Sequence, residues 1–326
     1  MTTYYGLYGQ KVQYLASDPT DVQIGQVWYN STSAILKVRQ VTTSGTWASG
    51  GNMNTARNNG GNAGIQTAAL AFGGGAAGNT PTTASEAYNG TSWTATPSLN
   101  TARQQIGSAG LQTAALGFGG NGYSAATESF NGSSWTSVNS MNTGRRDPGG
   151  TGTQTATLAF GGFDGSFPAA TESWNGTSWT TLPASMGTGR YSMGSAGLQT
   201  AALAFGGEIT GSTNTAATES YNGTSWTTVN SLNTVRKGLG GCGTQTLALG
   251  FGGYNAPSPA GLTATELWNG TSWTSNPTGL ATSRFYIGGT GTQAAGLAFG
   301  GTPPITTATE EFTGPGVGVT KTVTVT

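Results

Sequence analysis

Residues Gly107 to Gly120 read GSAGLQTAALGFGG, two short runs divided around Gly110–Gln112. The first run mixes small and polar residues. The second, TAALGF, is nearly all apolar, as expected of a strand buried on both faces. Two further β-prone runs come next in each unit, such as ATESY and SWTTV on either side of Asn222-Gly223. Asn-Gly predicts a hairpin with a type I′ turn, in which both central residues have φ > 0. No 3.6-residue periodicity occurs, so each unit is expected to hold four antiparallel strands.

The pattern recurs. Gly-Gly pairs that follow a Phe begin at Gly73, Gly119, Gly161, Gly206, Gly252 and Gly300, at spacings of 46, 42, 45, 46 and 48. An Arg stands 16 residues before each pair: Arg57, Arg103, Arg145, Arg190, Arg236 and Arg284. A Glu lies seven residues before each later Trp: Glu86 and Trp93, Glu128 and Trp135, Glu172 and Trp179, Glu219 and Trp226, Glu266 and Trp273. Glu310 has no Trp after it, and Trp47 has no such Glu before it. The period is therefore cut by the chain ends, and the strand around Trp47 is expected to complete the last unit.

Composition narrows the function classes. The 326 residues carry 12 basic and 12 acidic side chains, which excludes the basic excess needed for nucleic acid or an anionic membrane surface. No apolar run approaches the ~20 residues that span a bilayer, so no membrane insertion is expected. The start, MTTYYGLYGQ, shows no signal-peptide pattern. Glycine is abundant (56), yet 35% of residues are hydrophobic, enough for a core rather than disorder. Cys242 is the single cysteine, so no internal disulfide forms and it reads as a small buried residue. The chain has no His, which removes Ser-His and Cys-His nucleophiles. Asp occurs only at Asp18, Asp21, Asp147 and Asp164, too scattered for a metal cluster. The repeated Glu residues are too regular for a unique acid–base pair. The reading is a non-enzyme with no catalytic residue, metal or cofactor.

The Gly-Gly after the second strand, the aromatic in the third and the Trp opening the fourth resemble the Kelch repeat, from Trp47 to Phe312. The short Asn-Gly link before the Trp departs from common Kelch repeats and shortens that hairpin. The resemblance implies an all-β, six-bladed Kelch-like β-propeller with four-stranded antiparallel blades, over residues 46–313. The sixth blade takes its outer strand from around Trp47. Each Arg is expected to pair with a Glu or to cap carbonyls between blades. The alternative is a ligand site in every blade, since six-bladed fucose lectins hold sugar with Arg, Glu and Trp; that would make a multivalent glycan-binding lectin. The repeated Trp is expected in the core between blades. NGT and NGS also match the glycosylation sequon, although the turn chemistry already accounts for Asn-Gly.

Residues 1–45 stand outside the period. GQVWYNSTSAILKV alternates as a hairpin with its turn near Asn30 to Ala34, and it resembles short modules of bacteriophage tail-fibre and other virion proteins. YYGLYGQKVQYLASDP resembles the start of Kelch-like proteins of marine phages, those of cyanobacterial hosts in particular. The tail, residues 314–326, alternates as a strand with no partner inside the repeat; it is expected to seal a neighbouring edge or to pair with another subunit in a homo-oligomer. These resemblances imply a virion component on the particle surface, such as a tail fibre that contacts a host glycan or protein. The N-terminal extension would hold it to other virion proteins. An architectural capsid-decoration or tail-adaptor protein, and a host-derived Kelch adaptor, are the other classes.

Variation marks the expected recognition end. The interval from Gly-Gly to Glu runs 13, 9, 11, 13, 14 and 10 residues, whereas the other spacings hold. Those loops carry Tyr123, Phe163, Asp164, Phe167, Glu208 and Tyr254; the connections after the repeated Arg add Asp147, Tyr191, Lys237, Phe285 and Tyr286. Variable loops on a rigid scaffold are where recognition usually sits. The Asn-Gly end, nearly uniform, is expected to make no specific contact.

Overall fold

The computed structural model describes residues 12–20, 22, 25–41, 44–255, 260–316 and 318–323. Residues 1–11, Asp21, Ile24, residues 256–259 of the loop after Tyr254, and residues 317 and 324–326 of the tail were part of the expectations above and lie outside the described residues. Among the described residues, six four-stranded antiparallel sheets repeat one pattern, consistent with a propeller.

In the second sheet the strands are Gly107–Leu111, Ala114–Phe118, Thr127–Phe130 and Trp135–Val138, paired in chain order. The first strands of the others are Gly61–Ile65, Gly149–Thr153, Gly194–Leu198, Gly240–Gly243 and Gly288–Gly291. The sixth sheet draws its fourth strand, Thr46–Ser49, from the other end of the chain and sets Trp47 opposite Phe312.

Two local expectations change. The first hairpin turns at Gln112–Thr113, and Gly110 belongs to the strand. The Asn-Gly hairpins pair Phe130 with Trp135 across four loop residues, Asn131 to Ser134. The Asn131 carboxamide oxygen accepts the N–H groups of Ser133 and Ser134 (2.9 and 2.8 Å), and the left-handed residue is Gly132 alone (φ 91°). The loop is thus an Asx turn, in which the side chain replaces the second left-handed residue that type I′ needs.

Packing between sheets follows one rule. The Trp that opens each fourth strand lies against the Phe that ends the second strand of the preceding sheet, as Trp179 does on Phe118 (5.0 Å between ring centres) and Trp273 on Phe205 (4.8 Å). Its indole N–H donates to a Thr hydroxyl of that preceding sheet: Trp179 to Thr127, Trp226 to Thr171, Trp273 to Thr218. The Gln in each first hairpin turn donates backwards too, Gln112 to the carbonyls of Ala69 and Tyr88. Sheet one treats sheet six in the same way: Trp93 packs on Phe299 and donates to Thr309, and Gln66 donates to Gly296 and Phe312.

Outside the repeat, Val27–Asn30 pairs antiparallel with Ile35–Val41 and parallel with Gln13–Leu15. The far edge of Ile35–Val41 takes Gly318–Thr322, so the tail finds its partner within its own chain. Trp28 is buried here; its indole and the Asn30 amide donate to Asp18 (3.0 and 2.8 Å), which with Lys37 hold that carboxyl well below its usual range.

One interface departs from the rule. Sheet one has Ser85 where the others have Thr, and both the Ser85 hydroxyl and the Trp135 indole N–H are buried without partners. Ser85→Thr fills the methyl site and aims the hydroxyl at the indole as in the other sheets. It should stabilise the protein by about 1 kcal/mol. The urea midpoint is the measurement, and no increase would mean that Trp135 lacks nothing.

Candidate functional site

The repeated Arg and Glu residues meet within one sheet, not between sheets. In the first sheet the Arg57 Nη2 pairs with Glu86, and Nη1 donates to the carbonyls of Gly73 (3.1 Å) and Ala84 (2.6 Å). The second Glu86 oxygen accepts the Asn54 N–H at 2.7 Å. Equivalent pairs join Arg103 to Glu128, Arg145 to Glu172, Arg190 to Glu219, Arg236 to Glu266 and Arg284 to Glu310, at 2.5 to 3.2 Å. All twelve side chains are buried. Burial pulls the guanidinium pKa down and the carboxylate pulls it back, as at Arg57 and Arg103. Each pair clamps the connection before a sheet onto the exit of its second strand.

The clamp also shapes the backbone just beyond it. Two residues after each Arg the chain turns left-handed: Asn59, Gln105, Asp147, Ser192, Gly238 and Tyr286 have φ between 48° and 62°. Their amides form one succession of hydrogen bonds. Gln105 donates to Asn59 (2.7 Å), Asp147 to Gln105 (2.9 Å), Ser192 to Asp147 (3.2 Å), Gly238 to Ser192 (2.8 Å), Tyr286 to Gly238 (2.6 Å) and Asn59 to Tyr286 (3.1 Å). The same residues and the first strands of all six sheets line a cavity of about 280 Å³.

The residue directly after each Arg pairs through its backbone with the residue after Gly-Gly. Asn58 meets Gly75, Arg146 meets Phe163, Tyr191 meets Glu208, Lys237 meets Tyr254 and Phe285 meets Thr302. In the second sheet Asn121 donates to the Gln104 carbonyl at 2.9 Å. One backbone therefore presents a different pair of side chains in every unit. Sequence reasoning named Tyr191, Lys237 and Phe285 here and missed Asn58, Gln104 and Arg146. The signal was available, since each follows a repeated Arg.

These side chains form a belt. Phe163 packs on Tyr123 (5.8 Å), Phe167 (5.2 Å) and Tyr191 (5.5 Å). The Arg146 guanidinium lies 4.7 Å from the Phe163 ring centre. Lys237 sits between Tyr191 (5.4 Å) and Tyr254 (5.1 Å), and Tyr254 packs on Phe285 (4.4 Å), which touches Tyr286 (5.0 Å). Of the predicted aromatics only Tyr123 is exposed, at 44%; the others are half-buried. Glu208 is buried, paired to Lys237 and bound by the Tyr191 hydroxyl (2.9 Å), so it supports the belt rather than facing solvent. Asp164 stays apart, accepting from Ser166 in its own loop, and those bonds lower its pKa. The repeated Trp residues lie in the packing between sheets. Burial pushes the Cys242 thiol up to about 12, which keeps it protonated.

Asp147 is one of the left-handed residues that line the cavity, next in the chain to Arg146 of the belt. Burial pushes its carboxyl up to about 6, against the nearby Arg146 charge and a 2.8 Å bond from Gln105.

No protein-family model matches the chain, and no curated protein matches it.

Two outcomes test the electrostatics. Arg103→Ala strands a buried Glu128 and two carbonyls and should cost about 3–5 kcal/mol, with Arg103→Lys recovering only part. A loss below ~1 kcal/mol in chemical denaturation would refute the clamp. For Asp147 the folded pKa lies above the unfolded value, so the native state binds more protons between them. Stability then falls as pH rises from about 4 through 6, and the ionised group costs about 2–3 kcal/mol above pH 7. Asp147→Asn should therefore stabilise the protein at pH 7.5 and leave it unchanged at pH 3.5. Equal effects at both pH values would overturn this reading.

Proposed function

We propose that the six sheets are the blades of a closed six-bladed β-propeller and that the chain is a non-enzymatic binding protein. Closure is supported by the hydrogen bond from Asn59 back to Tyr286, by the shared cavity, and by the strand of Trp47 completing the sixth sheet. A binding role rests on one observation above all: a repeated backbone that carries a different side-chain pair in every unit at one end. The other end repeats one Asx turn five times with little change. The six repeated Glu carboxylates are taken up by Arg and backbone N–H groups, as at Glu86 and Glu128, and this favours binding over acid–base chemistry.

The likeness of the N-terminal stretches to phage proteins supports a virion setting. On this reading the protein is displayed on a tail fibre or similar appendage and touches the host surface with the belt end. The sheet formed by the hairpin and the C-terminal strand is the element available for attachment to other virion proteins.

Transplanting the side chains of the second unit onto the fifth and sixth tests the reading. Tyr254→Asn with Phe285→Gln, which copies Asn121 and Gln104, should leave the fold intact. Retention of the labelled protein on host cells should fall at least tenfold. Retention that survives this change and is lost on rebuilding the loop Asn131 to Ser134 would put recognition at the opposite end.

A further inference from the structure

Among the described residues, Arg146 differs from every other Arg of the repeat. The six in register each have a buried carboxylate partner; Arg146 has no carboxylate within 4 Å. Its position is nevertheless set. Its backbone exchanges two 2.9 Å hydrogen bonds with Phe163. Its guanidinium is held among the rings of Phe163 (4.7 Å), Tyr123 (5.9 Å) and Tyr191 (5.9 Å). Aromatic faces orient the planar fork without neutralising it or using up its N–H donors. A cation so arranged is prepared for a carboxylate brought from outside.

Arg146 lines a cavity of about 480 Å³ with Asn58, Asn79, Gln104, Gln105 and Tyr286. Ile305 is the one aliphatic residue in that lining. Asn58 and Gln104 are more than nine-tenths buried, at 6% and 9% exposure, and their amide oxygens have no donor. Those two oxygens and that of Asn79 converge over Gly75, all within 2.7 Å of where a Cβ on that residue would sit. Amides that can donate and accept, next to a cation with no carboxylate in ion-pair contact, suit a ligand rich in hydroxyls that carries an acid group. An apolar side chain would find little to pack against here.

We propose that this pocket binds an acidic saccharide, its carboxylate on the Arg146 guanidinium and its hydroxyls on the amides contributed by the first and second units. The proposal rests on the belt end being the recognition end and adds the ligand class. The neighbouring Asp147 competes with the ligand for Arg146, and Gln105 holds that carboxyl toward itself.

The test uses the full chain and calorimetric titration with three probes: a hexuronate oligosaccharide, the same oligosaccharide methyl-esterified, and oligoglutamate. The free acid should bind at least tenfold more tightly than its ester, since esterification removes the charge and the second strong acceptor oxygen that the guanidinium fork would meet. Arg146→Gln should abolish the distinction between acid and ester, Arg146→Lys should keep part of it, and Gln104→Ala should weaken both sugars. Thermal melts of each variant establish that the fold persists. If Arg146→Gln leaves the acid–ester ratio unchanged, or if no uronate binds, the proposal is overturned. It also fails if oligoglutamate binds as well as the uronate, since the site then reads charge and not sugar. The belt-end reading stands or falls separately, on whether Tyr254→Asn with Phe285→Gln still loses host-cell retention.

Discussion

The buried Arg–Glu pair, made once in each of the six repeated sheets, is the interaction on which the rest of the repeat depends. Burying an ion pair carries a desolvation cost that a matched apolar pair would avoid, so the pair by itself is weak grounds for stability. Its value lies in the groups it satisfies. The chain leaves each second strand through two left-handed glycines, such as Gly73 and Gly74, and the Gly73 carbonyl turns inward. A buried carbonyl needs a donor. One guanidinium supplies that bond, a second to Ala84 and the ion pair with Glu86, while Glu86 takes up the Asn54 N–H. No apolar replacement of similar volume could do the same.

Because the clamp sets the backbone before each sheet, the residues after the Arg adopt one conformation whatever their side chains. Asn, Gln, Asp, Ser, Gly and Tyr all occupy the left-handed position. For the non-glycine residues that conformation costs on the order of 1 kcal/mol each, offset here by the amide that each donates to its neighbour. Side-chain identity is thereby released from structural duty. The first two units use that freedom for amides, and the third to sixth bring in aromatics, the cations Arg146 and Lys237, and the carboxylates Asp147 and Glu208. An object with six similar parts acquires one asymmetric end.

Much of this could be read from the chain. The Arg, Glu and Trp positions, the four strands per unit and the role of Trp47 in the outer strand of the last sheet followed from spacing. The Gln in each first turn was equally regular, seven residues before every Gly-Gly, and went unread because a surface turn gives no reason to single out an amide. Its meaning exists only once a neighbouring sheet offers carbonyls, as Ala69 and Tyr88 do to Gln112. The Asn-Gly turn was placed correctly and given the wrong type, since the same dipeptide serves either geometry and the four-residue register decides.

What the sequence alone determined is the local and periodic part: strand pattern, unit length, and which charges recur. These depend on near neighbours and on repetition, and both are visible in one dimension. What only the tertiary structure decided is which residues meet across units. Glu208 looked like a loop carboxylate and is the buried partner of Lys237 from the next sheet. Arg145 and Arg146 are neighbours in the chain, yet Arg146 lies against the aromatics of the belt while Arg145 is sealed against Glu172. Adjacent residues on an extended backbone point to opposite sides, and which side is core depends on how neighbouring sheets pack.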